Sequence, residues 1–157
     1  MQREEYFMRR ALDLAAQGNG FTQPNPLVGA LIVHNDRILA EGYHHRAGEA
    51  HAEIMALNQL QTEDLDLLPE STLYVSLEPC SHQGRTGPCS VAISNSGIGT
   101  IVVAHQDPNP LVSGRGLAML RDAGRRVVLG TLAKEAAEQN KRFFTSIEKG
   151  RPYVTLK

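Results

Sequence analysis

His51 and Glu53 stand two residues apart, and Cys80 and Cys89 follow further along the chain. Together they offer an imidazole, two thiols and a carboxylate. Zinc accepts imidazole nitrogen and thiolate sulfur readily, and three protein ligands leave one tetrahedral position open for water. Two thiolates and a neutral imidazole already cancel the charge of the ion, so no further protein anion is required. Glu53 is then free to move protons. Such a set suits hydrolytic deamination, in which activated water attacks a ring carbon bearing an exocyclic amine. Glu53 would take the water proton, protonate the adjacent ring nitrogen and help ammonia depart.

The pattern His-x-Glu followed by Pro-Cys-x-x-Cys marks zinc-dependent nucleobase deaminases. Here the pairs are Pro79-Cys80 and Pro88-Cys89, and the second cysteine comes nine positions after the first instead of three. Other readings of the same residues stay open at this point. A closed structural zinc site would need a fourth ligand from His44, His45 or His82; the two cysteines could form a disulfide or be buried thiols; and Glu53 could be a carboxylate that interacts with the N–H groups of a helix start.

The elements that must position these residues follow from periodicity. Residues 1–17 carry Phe7, Met8, Ala11, Leu12, Leu14 and Ala15 at helical spacing, and Gly18 and Gly20 stop the helix. Thr22-Gln23-Pro24-Asn25-Pro26 cannot continue it, because each proline lacks an N–H and restricts its predecessor. Strands are expected at 28–33 and 38–43, joined by the polar turn His34-Asn35-Asp36-Arg37. A helix over 50–60 buries Ile54, Leu57 and Leu60, with His51 and Glu53 in its first turn. Residues two apart on a helix point in nearly opposite directions, so both can serve one site only beyond the helix N-terminus.

Further on, the pattern predicts a strand over 72–77, a helix over 90–96, a strand over 100–104, a helix over 116–123, a strand over 126–129 and one helix over 132–144. Cys89 should open its helix after Pro88, as His51 does after Gly48. The order αββαβαβαβα argues for an α/β fold with a mixed sheet and helices on both faces. No internal repeat or low-complexity segment interrupts it.

Composition bounds the partners. The chain has 157 residues, 41% hydrophobic and 21% charged, which fits one globular domain with a real core. A net charge of −1 gives no broad electropositive surface, and aromatic residues are few, so nucleic acid is not an expected partner. No apolar run approaches membrane-spanning length, and the first ten residues are charged rather than leader-like. Two cysteines are too few for a secreted disulfide scaffold and match a compartment where thiols stay reduced, so a cytoplasmic location is expected.

Several runs then carry a family resemblance: Pro24-Asn25-Pro26-Leu27-Val28-Gly29-Ala30; His44 with Ala47-Gly48; His51-Ala52-Glu53; Leu77-Glu78-Pro79-Cys80-Ser81-His82-Gln83-Gly84-Arg85-Thr86-Gly87-Pro88-Cys89; and Asp107-Pro108-Asn109-Pro110. Over nearly the whole chain this resembles the deaminase domain of the bifunctional riboflavin-biosynthesis deaminase/reductase. The long inter-cysteine segment is the form that this family uses. The resemblance implies a three-layer α/β/α cytidine-deaminase-like domain with about five strands, spanning residues 1–145. It implies one zinc ion on His51, Cys80 and Cys89, with Glu53 as proton shuttle.

The substrate it implies is a diamino-hydroxy-pyrimidine bearing a phosphoribosylamino group, whose 2-amino group is replaced by oxygen. Asn25 and His44 would meet polar groups of this substrate, and His82 and Arg85 its phosphate. Guanidinium and imidazole on a glycine-containing loop are suitable phosphate donors. Plainer readings are a solvated charge for Arg85, ordinary packing for His44 and a self-bonded turn residue for Asn25.

Relatives commonly carry two prolines before the second cysteine, and here Gly87 takes the first place. Residues 146–157, with Phe143-Phe144 just before them, resemble the linker and first strand of the reductase domain that follows in the bifunctional protein. The chain as given is therefore expected to hold no NADP site. Short sheet edges and the resemblance are compatible with a homo-oligomer. The rival readings are a deaminase of another nucleoside or base, and a catalytically idle assembly module stapled by zinc.

Overall fold

The structure, a computed structural model, describes residues 2–82 and 87–150. Helix α1 (Arg3–Ala16) leads into a loop and the hairpin β1 (Gly29–His34) and β2 (Arg37–Tyr43). Asn35 and Asp36 both take positive φ, 47° and 66°, as a two-residue hairpin turn whose twist matches its strands requires. Helix α2 (Ala52–Asn58), a 3₁₀ segment (Thr62–Glu70) and strand β3 (Thr72–Val75) follow. Then come α3 (Cys89–Ser96), β4 (Thr100–Val103), α4 (Arg115–Asp122), β5 (Arg126–Leu129), α5 (Ala133–Gln139) and α6 (Lys141–Lys149).

The five strands form one mixed sheet in the order β2-β1-β3-β4-β5. β1 runs antiparallel to both β2 and β3, while β3, β4 and β5 run parallel. Alternation along each central strand divides the side chains between two cores. Ala30, Ile32, Leu73, Val75, Ile101 and Val103 face a core closed by Ala52 and Ala56 of α2, Ile93 of α3 and Leu117 and Leu120 of α4. Leu31, Val33, Tyr74 and Val102 face the other, closed by Phe7, Met8, Ala11 and Leu12 of α1 and Ala136 of α5. The result is the expected three-layer α/β/α arrangement with five strands.

Two expectations need correction. The single helix over 132–144 is two helices, α5 and α6, meeting at Asn140. The buried Asn140 side chain accepts from the Leu27 N–H and donates to the Leu27 carbonyl, both at 2.8 Å, and its backbone leaves the helical region at φ −108°, ψ 26°. The stretch before β3 also holds ordered 3₁₀ structure that was not expected. The 145/146 boundary falls inside α6, and residues 151–157 lie outside the described residues. Among the described residues, no helix is long and apolar enough to cross a membrane.

Candidate active site

The first functional residues lie at the start of α2. His51 is the N-cap residue, with extended backbone at φ −71° and ψ 162°, and Glu53 is the second residue of the helix. This entry allows one site to receive both side chains although they are two residues apart. Gly42 lets the helix come this close to the sheet: a Cβ there would stand 2.6 Å from the Ala52 carbonyl oxygen and the Ala56 nitrogen. Any side chain would push α2, and with it His51 and Glu53, off β2.

Cys80 hangs from the chain that leaves the end of β3, and Cys89 is the first residue of α3, with Pro88 as its N-cap. The two are locked together by backbone. The Cys89 N–H donates to the Cys80 sulfur at 3.1 Å, and the Ser90 N–H donates to the Cys80 carbonyl, also at 3.1 Å. The long inter-cysteine segment is therefore pinned at both ends. Gly87 is exposed, and a Cβ there would meet nothing within 4 Å, so the space around it would admit a side chain.

His51 Nδ1 lies 3.3 Å from Cys89 Sγ and 3.8 Å from Cys80 Sγ, and the three donor atoms all fall within 4.8 Å of one another. Zinc at about 2.0–2.1 Å from nitrogen and 2.3 Å from sulfur, in tetrahedral geometry, sets a nitrogen–sulfur edge of about 3.6 Å. The observed pair straddles that length. Both cysteines are free thiols, which removes the disulfide reading. Among the described residues, no fourth His, Cys, Asp or Glu joins the cluster. His44 and His45 are engaged elsewhere: His44 by hydrogen bonds at both ring nitrogens, and His45 against the Tyr43 ring at 4.0 Å between centroids.

The electrostatics suit a metal. Hydrogen bonding with Cys89, and with the His51 ring, pulls the Cys80 thiol down to about 4, so that sulfur is held as the thiolate a metal requires. The same Cys80 partner, together with burial, pushes the Cys89 thiol up. Donating its ring N–H to the Cys80 sulfur favours the charged imidazole and raises the His51 pKa. Glu53 is only 3% exposed, and burial pushes its carboxyl up to about 6 against the pull of its hydrogen bonds and of His51.

His51, Glu53 and Cys80 border a cavity of about 230 Å³. Asn25, His44, His82, Asp107 and Phe143 line it along with His51, Glu53 and Cys80. Asn25 sits in a loop tied by its N–H to the Thr22 carbonyl at 2.8 Å and by the Thr22 hydroxyl to its own carbonyl at 3.0 Å. It is thus a turn residue by its backbone, while its amide Nδ2 lies 3.2 Å from His44 Nε2. His44 is buried, and its Nδ1 lies 3.1 Å from the Ala50 carbonyl, which can only accept. The proton therefore belongs on Nδ1, and Nε2 accepts from Asn25. Burial lowers the His44 pKa and keeps the ring neutral. His82 is exposed at the mouth; Arg85 lies outside the described residues.

Among the cavity residues not singled out from the sequence as site residues, three carry chemistry or an aromatic ring. Asp107 follows β4 and is pushed up by burial. Phe143 comes from α6, in a stretch read as approaching a linker. Glu78, just before Pro79-Cys80, also borders the cavity. Glu78 and Asp107 stood in the quoted motifs, which was the available signal; Phe143 was quoted only beside the linker, and the break at Asn140 that places α6 was not legible locally.

A mixed α/β/α domain holding two thiols and an imidazole around one point, with a buried carboxylate alongside and no fourth protein ligand among the described residues, defines a hydrolytic metal site. Residues 1–105 match the cytidine and deoxycytidylate deaminase zinc-binding region. The riboflavin biosynthesis protein RibD of Aquifex aeolicus is 50% identical over 98% of this chain and 42% of that protein. A diaminohydroxyphosphoribosylamino-pyrimidine deaminase of Buchnera aphidicola is 43% identical over 96% of this chain and 99% of that protein. The crystal structure of a diaminohydroxyphosphoribosylaminopyrimidine deaminase/5-amino-6-(5-phosphoribosylamino)uracil reductase from Thermotoga maritima superposes with a TM-score of 0.90 at 45% identity, covering 96% of this chain and 43% of that one. This chain belongs to the zinc-binding cytidine and deoxycytidylate deaminase family, in its riboflavin-biosynthesis pyrimidine deaminase branch. It spans less than half the length of the bifunctional relatives it matches.

Proposed function

We propose that this chain removes the 2-amino group of a diamino-hydroxy-phosphoribosylamino-pyrimidine, replacing it with oxygen and releasing ammonia. The observation that carries the reading is Glu53: a buried carboxylate that belongs to no ligand set, beside three donors spaced for one zinc ion. The name of the full-length Buchnera relative supports the choice of substrate. His51 Nδ1, Cys80 Sγ and Cys89 Sγ would hold the ion. When bound, it supplies the Lewis acidity that makes water nucleophilic near neutral pH.

The remaining steps belong to side chains. The Glu53 carboxylate accepts a proton from the attacking water and delivers it to the ring nitrogen beside the carbon under attack. The same carboxylate then takes the proton of the newly added hydroxyl and passes it to the amine, so that the C–N bond breaks, the C=O forms and ammonia leaves. Neutral His44, fixed by the Ala50 carbonyl, holds Asn25 so that its amide oxygen and remaining N–H meet the polar edge of the ring. Asp107, which also lines the cavity, supplies a further acceptor, and Phe143 limits water. His82 and Arg85 are assigned to the phosphate as donors. A cavity of about 230 Å³ suits a single heterocycle, with the phosphoribosyl arm leading outward past His82. The reductase that accompanies the Thermotoga enzyme prompts the further reading that residues 146–157 lead toward such a domain.

Incubation of zinc-loaded protein with the phosphoribosylamino pyrimidine, with ammonia as the readout, tests the proposal. Release that needs both zinc and the substrate phosphate supports it; folded, metallated protein that releases none rejects it. Equal turnover of the dephosphorylated compound would favour the rival reading, a deaminase of a free nucleoside or base.

A further inference from the structure

Glu78 is a buried carboxylate, 7% exposed, with no basic partner in an ion pair among the described residues. Backbone N–H groups compensate its charge instead. Oε1 accepts from Asp107 and Gly114, both at 3.0 Å, and Oε2 accepts from Gly116 at 2.9 Å and Leu117 at 3.3 Å. Three of these donors are the N-cap and early residues of α4, whose N–H groups have no partner within the helix. The fourth belongs to Asp107, a wall of the catalytic cavity. The Glu78 N–H itself donates to the His105 carbonyl at 3.0 Å, so main chain and side chain grip the same segment at both ends.

A carboxylate that merely capped α4 could stand anywhere around that helix end. This one stands two residues before the ligand Cys80. The contact there is tight: a Cβ on Gly116 would come within 2.0 Å of the Pro79 carbonyl oxygen, so α4 begins directly against the peptide leading to Cys80. Asp107 has one local tie of its own, the Asn109 N–H on Oδ1 at 2.9 Å, and that turn holds its shape only relative to itself. The β3–β4 ladder and the Glu78 N–H on the His105 carbonyl bring the segment alongside, and the Glu78 side chain adds the tie that reaches the Asp107 N–H itself.

We propose that Glu78 is a positioning residue for the reaction: by gathering the N–H groups of Asp107, Gly114, Gly116 and Leu117, it fixes the Asp107 carboxyl against the substrate cavity in register with Cys80. The inference rests on the deaminase reading. Removing the Glu78 acceptor loosens the wall that meets substrate while His51, Cys80, Cys89 and Glu53 stay assembled, so binding suffers before chemistry does.

Steady-state ammonia release and zinc content, measured together on the full chain, test this. In Glu78→Gln the amide –NH₂ cannot accept from the two N–H groups facing it; KM should rise tenfold or more, with kcat within about threefold and one zinc retained. Gly116→Ala, which displaces the start of α4 with both carboxylates intact, should give the same KM rise. In an Asp107→Asn background, either change should alter kcat/KM less than twofold further, because the residue acted upon is already altered. An unchanged KM in Glu78→Gln, or a fall of kcat in step with zinc loss, overturns the assignment. If Glu78→Gln does not fold, the Gly116→Ala cycle decides: full additivity with Asp107→Asn overturns the proposal, and non-additivity sustains it. Wild-type protein that releases no ammonia would sink the deaminase reading itself, and the role of Glu78 with it.

Discussion

Asn140 pairs with the backbone of Leu27 as another strand would, its amide oxygen taking the Leu27 N–H and its amide nitrogen giving to the Leu27 carbonyl, each at 2.8 Å. One side chain thereby ends α5, starts α6 and anchors the loop that presents Asn25. It also turns Phe143 toward the cavity wall.

Replacing Asn140 by Ala leaves a partly buried backbone donor and acceptor without their side-chain partners, and should cost about 1 to 2 kcal/mol of unfolding free energy. Asn140→Asp keeps the acceptor but sets an oxygen against the Leu27 carbonyl, so it should not rescue. Urea unfolding of the two variants checks this; a loss below about 0.5 kcal/mol in Asn140→Ala would show that the pairing is not stabilising.

His44 should remain uncharged below its ordinary value of 6.5, because burial lowers its pKa. The sign follows from linkage: the unfolded chain binds this proton more readily than the fold does. The contribution is fully present above the unfolded value and is lost as pH falls through the folded one. Nitrogen-15 spectra should show the Nδ1–H tautomer at pH 7, with titration displaced downward. A ring protonated at pH 6.5 or above, or an Nε2–H tautomer, would contradict the Asn25–His44–Ala50 chain.

Glu53→Gln keeps size and hydrogen bonding but cannot carry a proton. Turnover should fall by about 10² to 10⁴ while zinc content and the unfolding midpoint stay near wild type. Retained activity would remove Glu53 from the chemistry.

In protein stripped of metal by a chelator, Glu53 should titrate at about 6, above the ordinary 4.5, because burial disfavours its charge. The fold then binds a proton that the unfolded chain releases, so the stability of stripped protein should decline as pH rises from 4.5 to 6. Added zinc, a nearby divalent cation, favours the carboxylate and should move the titration down. Carboxyl-carbon NMR with and without zinc reads both; a titration that zinc leaves unmoved would separate Glu53 from the metal.

Much of this site was legible in the sequence, because its parts sit where local signals are strong. His51 and Glu53 lie at a helix entry marked by Gly48 and a following apolar period, and Pro88 announces the helix that Cys89 opens. The apolar runs of β1, β3 and β4 likewise announced buried strands, although which residues face each core is read only from the structure. What stayed hidden depends on tertiary partners. Residues 132–144 read as one helix, and the break at Asn140 is imposed by Leu27, 113 positions away. In the 3₁₀ segment Leu68 is buried while Leu65 is exposed, so no repeating apolar face announces it. Glu78 gathers N–H groups from 29 to 39 positions further along, a relationship that no local pattern carries.

Zinc K-edge X-ray absorption on the loaded enzyme tests the central geometry most directly. Two sulfurs at about 2.3 Å, two lighter atoms at about 2.0–2.1 Å and the multiple scattering of a single imidazole are expected, which leaves one position for water beside Glu53. Two imidazoles, or fewer than two sulfurs, would mean a closed or different site and would contradict the account.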